Sequence, residues 1–390
     1  MKKALLTFGL LLALAGVGAT DPLELVESFP RGTDFDQADI RNTSEVWLEL
    51  INGAEEEILW QTFYCAHEPG KATAPILEAL KRAAHRHVKV RLLVDEKFLE
   101  TYPEPLKQLA RLPNIEVRPS PIGRWYGGVM HAKTLLVDGE VGFLGSQNLD
   151  WRSLEHIREL GLVFRDPVSV QRLSQIFEWE WNHYKDEAPP PDLPHFPAEQ
   201  RRVGEQTIRL TASPNAGIQD QKATDEFEIL RLLEKAESSI QVALLSYHPV
   251  TRDGQQFYPA LDNALRAAAV RGVKIQLLLS HWVEKEKQVD HLLSLDTLDN
   301  VEVRACRIPE AAEGAIPFAR VHHSKYLVVD DKEAWLGTSN WAKGYFYNSR
   351  NYGLVMFGGP IPGRLTKLFH HDWERSTPLQ KKSSPVGATF

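Results

Sequence analysis

His131-Ala132-Lys133, the apolar run Thr134 to Val137, Asp138, and then Gly145-Ser146-Gln147-Asn148 form the stretch from which the fold can be read. The same order returns 192 residues downstream as His323-Ser324-Lys325, Tyr326 to Val329, Asp330 and Gly337-Thr338-Ser339-Asn340. No insertion or deletion separates the copies. Each apolar run predicts a buried strand, with its His and Lys two residues apart on one face. In a chain with 14 histidines, one match of this kind is an ordinary surface pattern. Two in register, each followed by Gly-Ser/Thr-x-Asn, read as the two halves of one site.

Outward from the motifs the repetition continues. Arg86, Val88 and Lys89 are echoed by Arg271, Val273 and Lys274, and Gly161-Leu162-Val163 by Gly353-Leu354-Val355. Ile176, Phe177 and Trp181 are echoed by Leu368, Phe369 and Trp373. In the first half, a helix around Val46, Trp47, Leu50 and Ile51 precedes a strand at Ile58 to Tyr64. A helix over Ala74 to Ala84 and a strand over Val88 to Val94 close a β-α-β unit, which implies a parallel pair. The second half repeats this order with a helix over Glu226 to Glu237, a strand over Ile240 to Leu245, a helix over Pro259 to Val270 and a strand over Val273 to Leu279. The expected fold is α/β, two mixed-sheet halves related by a pseudo-twofold around one shared site.

The boundaries follow from composition. Met1 to Ala19 carries Lys2 and Lys3, an apolar run and a small-residue end at Val17-Gly18-Ala19, the pattern of a secretory signal. Its apolar run, Ala4 to Ala15, is shorter than the about 18 apolar residues a span requires, so an exported, periplasmic or extracellular protein without a stable transmembrane anchor is expected. Residues 20–185 form the first half, the proline-rich 186–205 a connector, 206–376 the second half and 377–390 a polar tail. The formal charge of −7 excludes a strongly basic, duplex-coating protein. Cys65 and Cys306, one in each half, read as buried free thiols.

The chemistry of the doubled motif is that of a tetrahedral anion. Lys133 and Lys325 supply positive charge, and Asn148, Asn340, Ser146 and Thr338 supply fixed donors for equatorial oxygens. One imidazole attacks phosphorus while the other protonates the leaving alkoxide, and the roles reverse as water hydrolyses the phosphohistidine. No metal or other cofactor enters this scheme. A nucleophilic imidazole needs an acceptor on its second nitrogen. Glu159 and its counterpart Asn351 are the candidates, and they differ in charge. The difference separates nucleophile from acid without fixing which is which; we take His131 as the nucleophile. Asp138 and Asp330, at strand ends, read as supporting residues that cap turns or pair with lysines.

These residues, His131-Lys133-Asp138 with Gly145-Ser146-Asn148 and His323-Lys325-Asp330 with Gly337-Thr338-Asn340, resemble the paired signature of the phospholipase D superfamily. Leu25 to Ser28, Asp150 to Leu154 with Glu159 to Gly161, and above all Ile316 to Phe346 are similar to the phospholipase D three and four branch, a 5′ exonuclease group. The resemblance implies two α/β halves sharing one site and metal-independent phosphodiester cleavage. It implies single-stranded DNA or RNA ends as substrate, with phospholipid headgroup transfer, as in cardiolipin synthases, as the alternative. It also suggests a homodimer, which the chemistry does not require. The animal members' membrane anchor and additional cysteines have no counterpart here.

Other features carry less. His67, His85, His87, His156 and His195 lack metal-ligand spacing, His370 and His371 lack partners, and His322 should point away from the motif face. No phosphate loop of the G-x-x-x-x-G-K type is present. Trp125, Tyr126, Trp282, Trp341, Tyr345 and Phe346 are candidates for stacking bases, lining a lipid-facing rim or simply filling the core.

Overall fold

A computed structural model describes residues 21–251 and 254–381; the signal-like leader and the last residues of the tail lie outside the described residues. Two large mixed sheets organise the chain. The first runs Arg41–Asn42, Leu23–Ser28, Glu159–Phe164, Val141–Gly145, Thr134–Val137, Glu57–Thr62, Lys89–Asp95, Ile115–Ser120. The second runs Arg201–Val203, Gln206–Ser213, Asn351–Phe357, Glu333–Gly337, Tyr326–Val329, Ser239–Leu244, Lys274–Ser280, Val301–Cys306, Ser376–Pro378. Their central strands correspond one to one. In each, the β-α-β unit gives the expected parallel pair, Glu57–Thr62 with Lys89–Asp95 and Ser239–Leu244 with Lys274–Ser280. The motif strand lies antiparallel to the first member of that pair. The duplicated α/β fold is therefore the observed one.

The motif strands are apolar without interruption because both their faces are covered. Leu135 and Val137 point into a core belonging to the first half, while Leu136 joins a core shared by both halves. Leu327 and Val329 fill the second half's own core, and Val328 joins the shared one. Between the sheets lie the helices Pro167–Asn182 and Pro360–Glu374, which contribute Phe177 and Phe369 to the same shared layer. Truncating one such leucine to alanine costs on the order of 2–5 kcal/mol, so the interface is a core and not a loose domain contact.

The glycines of the motif have a packing reason. Gly145 faces Gly161 across the sheet, and Gly337 faces Gly353. A Cβ on Gly145 would come within 2.8 Å of the Gly161 Cα, and one on Gly337 within 3.0 Å of the Gly353 Cα.

Several boundaries differ from the sequence reading. The motif strands begin at Thr134 and Tyr326, not at the histidines. His131 to Lys133 and His323 to Lys325 precede them in irregular backbone, because the His131 and His323 N–H groups bond to the other half instead of to the sheet. Leu23–Ser28, ahead of the first expected helix and assigned no element from the sequence, is a strand paired with Glu159–Phe164. Within the proline-rich connector, Arg201–Val203 forms an edge strand, and Ser376–Pro378 at the start of the tail adds another. Cys65 and Cys306 are both free and buried.

Candidate active site

Each candidate histidine is held by the opposite half. The His131 N–H donates to the Arg350 carbonyl at 2.9 Å, and its Nδ1 lies 3.0 Å from Asn351 Oδ1. The His323 N–H donates to the Arg158 carbonyl at 2.8 Å, and its Nδ1 lies 2.7 Å from Glu159 Oε2. A two-residue clamp thus grips one imidazole at both backbone and ring, and the internal repeat builds it twice.

The clamps fix the tautomers. Asn351 Nδ2 donates to the carbonyls of Tyr345 and Ser349, which accept only, so Oδ1 must face His131. His131 Nδ1 therefore carries the hydrogen and Nε2 keeps its lone pair. Glu159 imposes the same arrangement on His323. Thr338 Oγ1 donates to Asn351 Oδ1 at 3.0 Å, and Ser153 Oγ to Glu159 Oε1 at 2.6 Å. Ser146 Oγ exchanges hydrogen bonds with the Leu160 backbone. Ser146 and Thr338 therefore support the clamps from behind, which corrects the expectation that they line the anion.

Behind each clamp stands an arginine. Arg158 Nε reaches Asp372 in the other half at 2.9 Å and its guanidinium also binds Glu27; Arg350 Nε reaches Glu180 in the first half at 2.6 Å. All these side chains are buried. Arg158 and Arg350, like Glu180 and Asp372, stand at the motif's own 192-residue offset. That spacing was the signal through which sequence reasoning, which missed them, had access to these pairs.

Burial sets the electrostatics. His323 is pushed down to about 4 by desolvation against the pull of Glu159. His131, with a neutral amide behind it, is held well below the ordinary histidine value by desolvation and then by Lys133 and Lys325. Desolvation brings Lys325 down to about 7, and desolvation followed by Lys325 holds Lys133 well below its usual range. Burial alone would raise Glu159, but His323 and Lys325 keep it below the ordinary value, so it is ionised at neutral pH. The Lys133 Nζ donates to the His131 carbonyl at 2.6 Å, and Lys325 does the same to His323. The amide oxygens of Asn148 and Asn340 are buried without a partner in the protein. Two buried lysines beside two imidazoles suit an anionic ligand, to which Asn148 and Asn340 can donate only through Nδ2, since an amide oxygen is an acceptor.

Asp138 and Asp330 are not in it. Both sit in left-handed backbone at the end of a motif strand, with φ of 52° and 54°. Their carboxylates accept the backbone N–H groups of residues 55 to 57 and of residues 237 to 239 at 2.7–2.9 Å. Of the aromatic candidates, Trp341 and Phe346 are core, and Trp125 is buried against Trp179. Tyr345 stands edge-on to His131 at 4.9 Å. Phe63, which the sequence did not single out, packs 5.1 Å from the same ring. His322 turns away to Asp372. Among the described residues no group of three or more His, Cys, Asp or Glu side chains is placed to hold a metal ion, and no helix is long and apolar enough to cross a membrane.

Known proteins resemble this chain in sequence and fold. The family model for the cardiolipin synthase, phospholipase D-like domain matches residues 47–181 and 229–373, one match for each half. The chain is 29% identical over 384 residues to phospholipase D Z of Dictyostelium discoideum, covering 90% of this chain and 89% of that one. It is 33% identical over 415 residues to the 5′-3′ exonuclease PLD3 of Pongo abelii, covering 94% and 83%. The crystal structure of a phosphatidylserine synthase from Haemophilus influenzae shares the fold, with a TM-score of 0.64 over 87% of this chain and 85% of that one at 13% identity. With a site built twice from one motif and a family match to both halves, the chain belongs to the phospholipase D superfamily of hydrolases.

Proposed function

We propose that the chain is a phosphodiesterase working through a phosphohistidine, without a metal, on the ends of single-stranded nucleic acid. The observation that carries the chemistry is the crossed pair of clamps, one neutral and one anionic. Asn351 leaves His131 uncharged with a free Nε2, while Glu159 favours the imidazolium of His323. His131 Nε2 attacks phosphorus, the bond to the leaving oxygen breaks, and His323 Nε2 delivers its proton to that oxygen. The bound phosphodiester anion raises the His323 pKa enough for this. Water then gives a proton to His323 as its oxygen attacks phosphorus, and the P–N electron pair returns to His131. Lys133, Lys325, Asn148 and Asn340 bind the equatorial oxygens throughout. Asp138, Asp330, Ser146 and Thr338 support the frame.

Nucleic acid is favoured by the similarity to relatives named 5′-3′ exonucleases over nearly the whole chain. The similarity to a relative named phospholipase D supports the lipid alternative. The leader-like Met1 to Ala19 supports an exported enzyme. The test offers purified protein a 5′-hydroxyl single-stranded oligonucleotide and phosphatidylglycerol vesicles, each with chelator. Shortening of the oligonucleotide alone supports the nuclease, headgroup release or transfer alone supports the lipase, and loss of all activity in chelator contradicts the metal-free scheme.

A further inference from the structure

Two pockets that are mates under the internal repeat lie beside the histidines, one reaching Tyr102, which packs on Tyr64 beside Asn148, and the other reaching Tyr345, which faces His131. One is bounded by residues after Glu57–Thr62 and Lys89–Asp95, including Glu68, Tyr102 and Glu104, together with Trp151 and Arg152. The other is bounded by the corresponding segments of the second half, including His248, Trp282, Lys285, Lys287 and Lys343. Sharing an ancestor in sequence, the two have diverged in size and charge. The first-half mouth encloses about 400 Å³ and the second-half mouth about 970 Å³.

The charge difference is the more telling. In the first-half mouth Glu68 and Glu104 are exposed acids, while the one arginine, Arg152, is held by Asp150 through Nε at 3.0 Å. In the second-half mouth Lys285, Lys287 and Lys343 stand in one wall system, and among the described residues the one lining carboxylate, Glu286, binds His248. Lys343 Nζ is anchored 3.0 Å from Gln256 Oε1, which orders it without neutralising it. Trp282 and Tyr345 add aromatic faces to the same wall, and Tyr345 leads directly to His131. On a chain whose net charge is −7, such a local basic, aromatic groove is a departure from the surface average. A backbone of successive phosphates with stackable bases is the ligand class that uses both features.

We propose that the second-half mouth is the track for the body of a single-stranded nucleic acid, with Lys287, Lys343 and Trp282 as determinants of polymer over small diester. This rests on the nucleic-acid reading above and adds a direction to it: the strand leaves the histidines on the lysine side, away from Glu68 and Glu104.

The test compares the full chain with its Lys287→Glu/Lys343→Glu variant on a 20-nucleotide 5′-hydroxyl oligothymidylate and on a p-nitrophenyl phosphodiester, across a salt series. The expected result is at least a tenfold loss of kcat/KM on the oligonucleotide, with a salt dependence shallower by roughly 0.7 in log–log slope for each phosphate contact removed. Turnover of the small diester stays within twofold, which also reports that the variant is folded. Unchanged oligonucleotide kinetics in the variant would overturn the track while leaving the nuclease reading intact. A parallel loss on both substrates would overturn it too, because the lysines would then act on chemistry or folding. If the unmodified protein turns over the small diester but never shortens the oligonucleotide, the nucleic-acid reading falls, and the track with it.

Discussion

Burial around His131 and His323 does two things at once: it favours the neutral form of both imidazoles, and it lowers the lysines that the proposed mechanism sets against the anion. The sign of the pH dependence follows. In the proposed mechanism the donor His323, at about 4, and the cation Lys325, at about 7, must both be protonated to act, whereas the nucleophile must not be. kcat/KM should be higher at pH 5 than at pH 8, with the alkaline limb steepening above about 7. A profile flat or rising over that interval in a pH series on the p-nitrophenyl diester would contradict this. Glu159→Gln keeps an acceptor for His323 but removes the charge that raises its pKa, so turnover should fall by roughly 10–100-fold. The loss should be larger at pH 8 than at pH 5. The doubled His, Lys and Asn were legible as residues because their spacing repeats. The backing roles of Ser146 and Thr338 were not, because a sequence does not say whether a hydroxyl faces a ligand or the residue behind it.

At the scale of elements, Asp138 and Asp330 tie the end of each motif strand to the start of the neighbouring one. Asp138→Ala removes three backbone hydrogen bonds from a left-handed position and should cost on the order of 2–4 kcal/mol. Denaturant unfolding measures that loss, and kcat per folded molecule should be unchanged; a fall in kcat at full stability would move Asp138 into the chemistry. Arg350→Met leaves Glu180 buried without its partner and should cost about 3–5 kcal/mol. Adding Glu180→Leu removes the stranded charge, so the double variant should be more stable than the single one in the same experiment. The apolar strands and amphipathic helices were readable from their periods. Leu23–Ser28 was not, because Glu27 and Ser28 interrupt the pattern. Glu27 is a buried acid whose charge is met by its distant partner Arg158, while its other oxygen accepts the Gln37 N–H at 2.7 Å.

For the whole molecule, duplication was visible as a fixed offset, and it gave the fold and the shared site. What the offset could not give is the crossing. No periodicity states that Asn351 serves His131 and Glu159 serves His323, since that depends on how two sheets pack around one core. The crossing makes the halves interdependent, and in the proposed mechanism it gives them unequal tasks. It is tested most directly by trapping the intermediate. In His323→Ala, a p-nitrophenyl phosphodiester has a leaving group good enough to depart without acid, but water has no base to remove the product from the enzyme. Rapid quench and peptide mass spectrometry should then find the phosphoryl adduct on His131, whereas His131→Ala should yield no adduct on His323. An adduct on His323 in the His131→Ala protein, or steady turnover by His323→Ala with no adduct at all, would contradict the account.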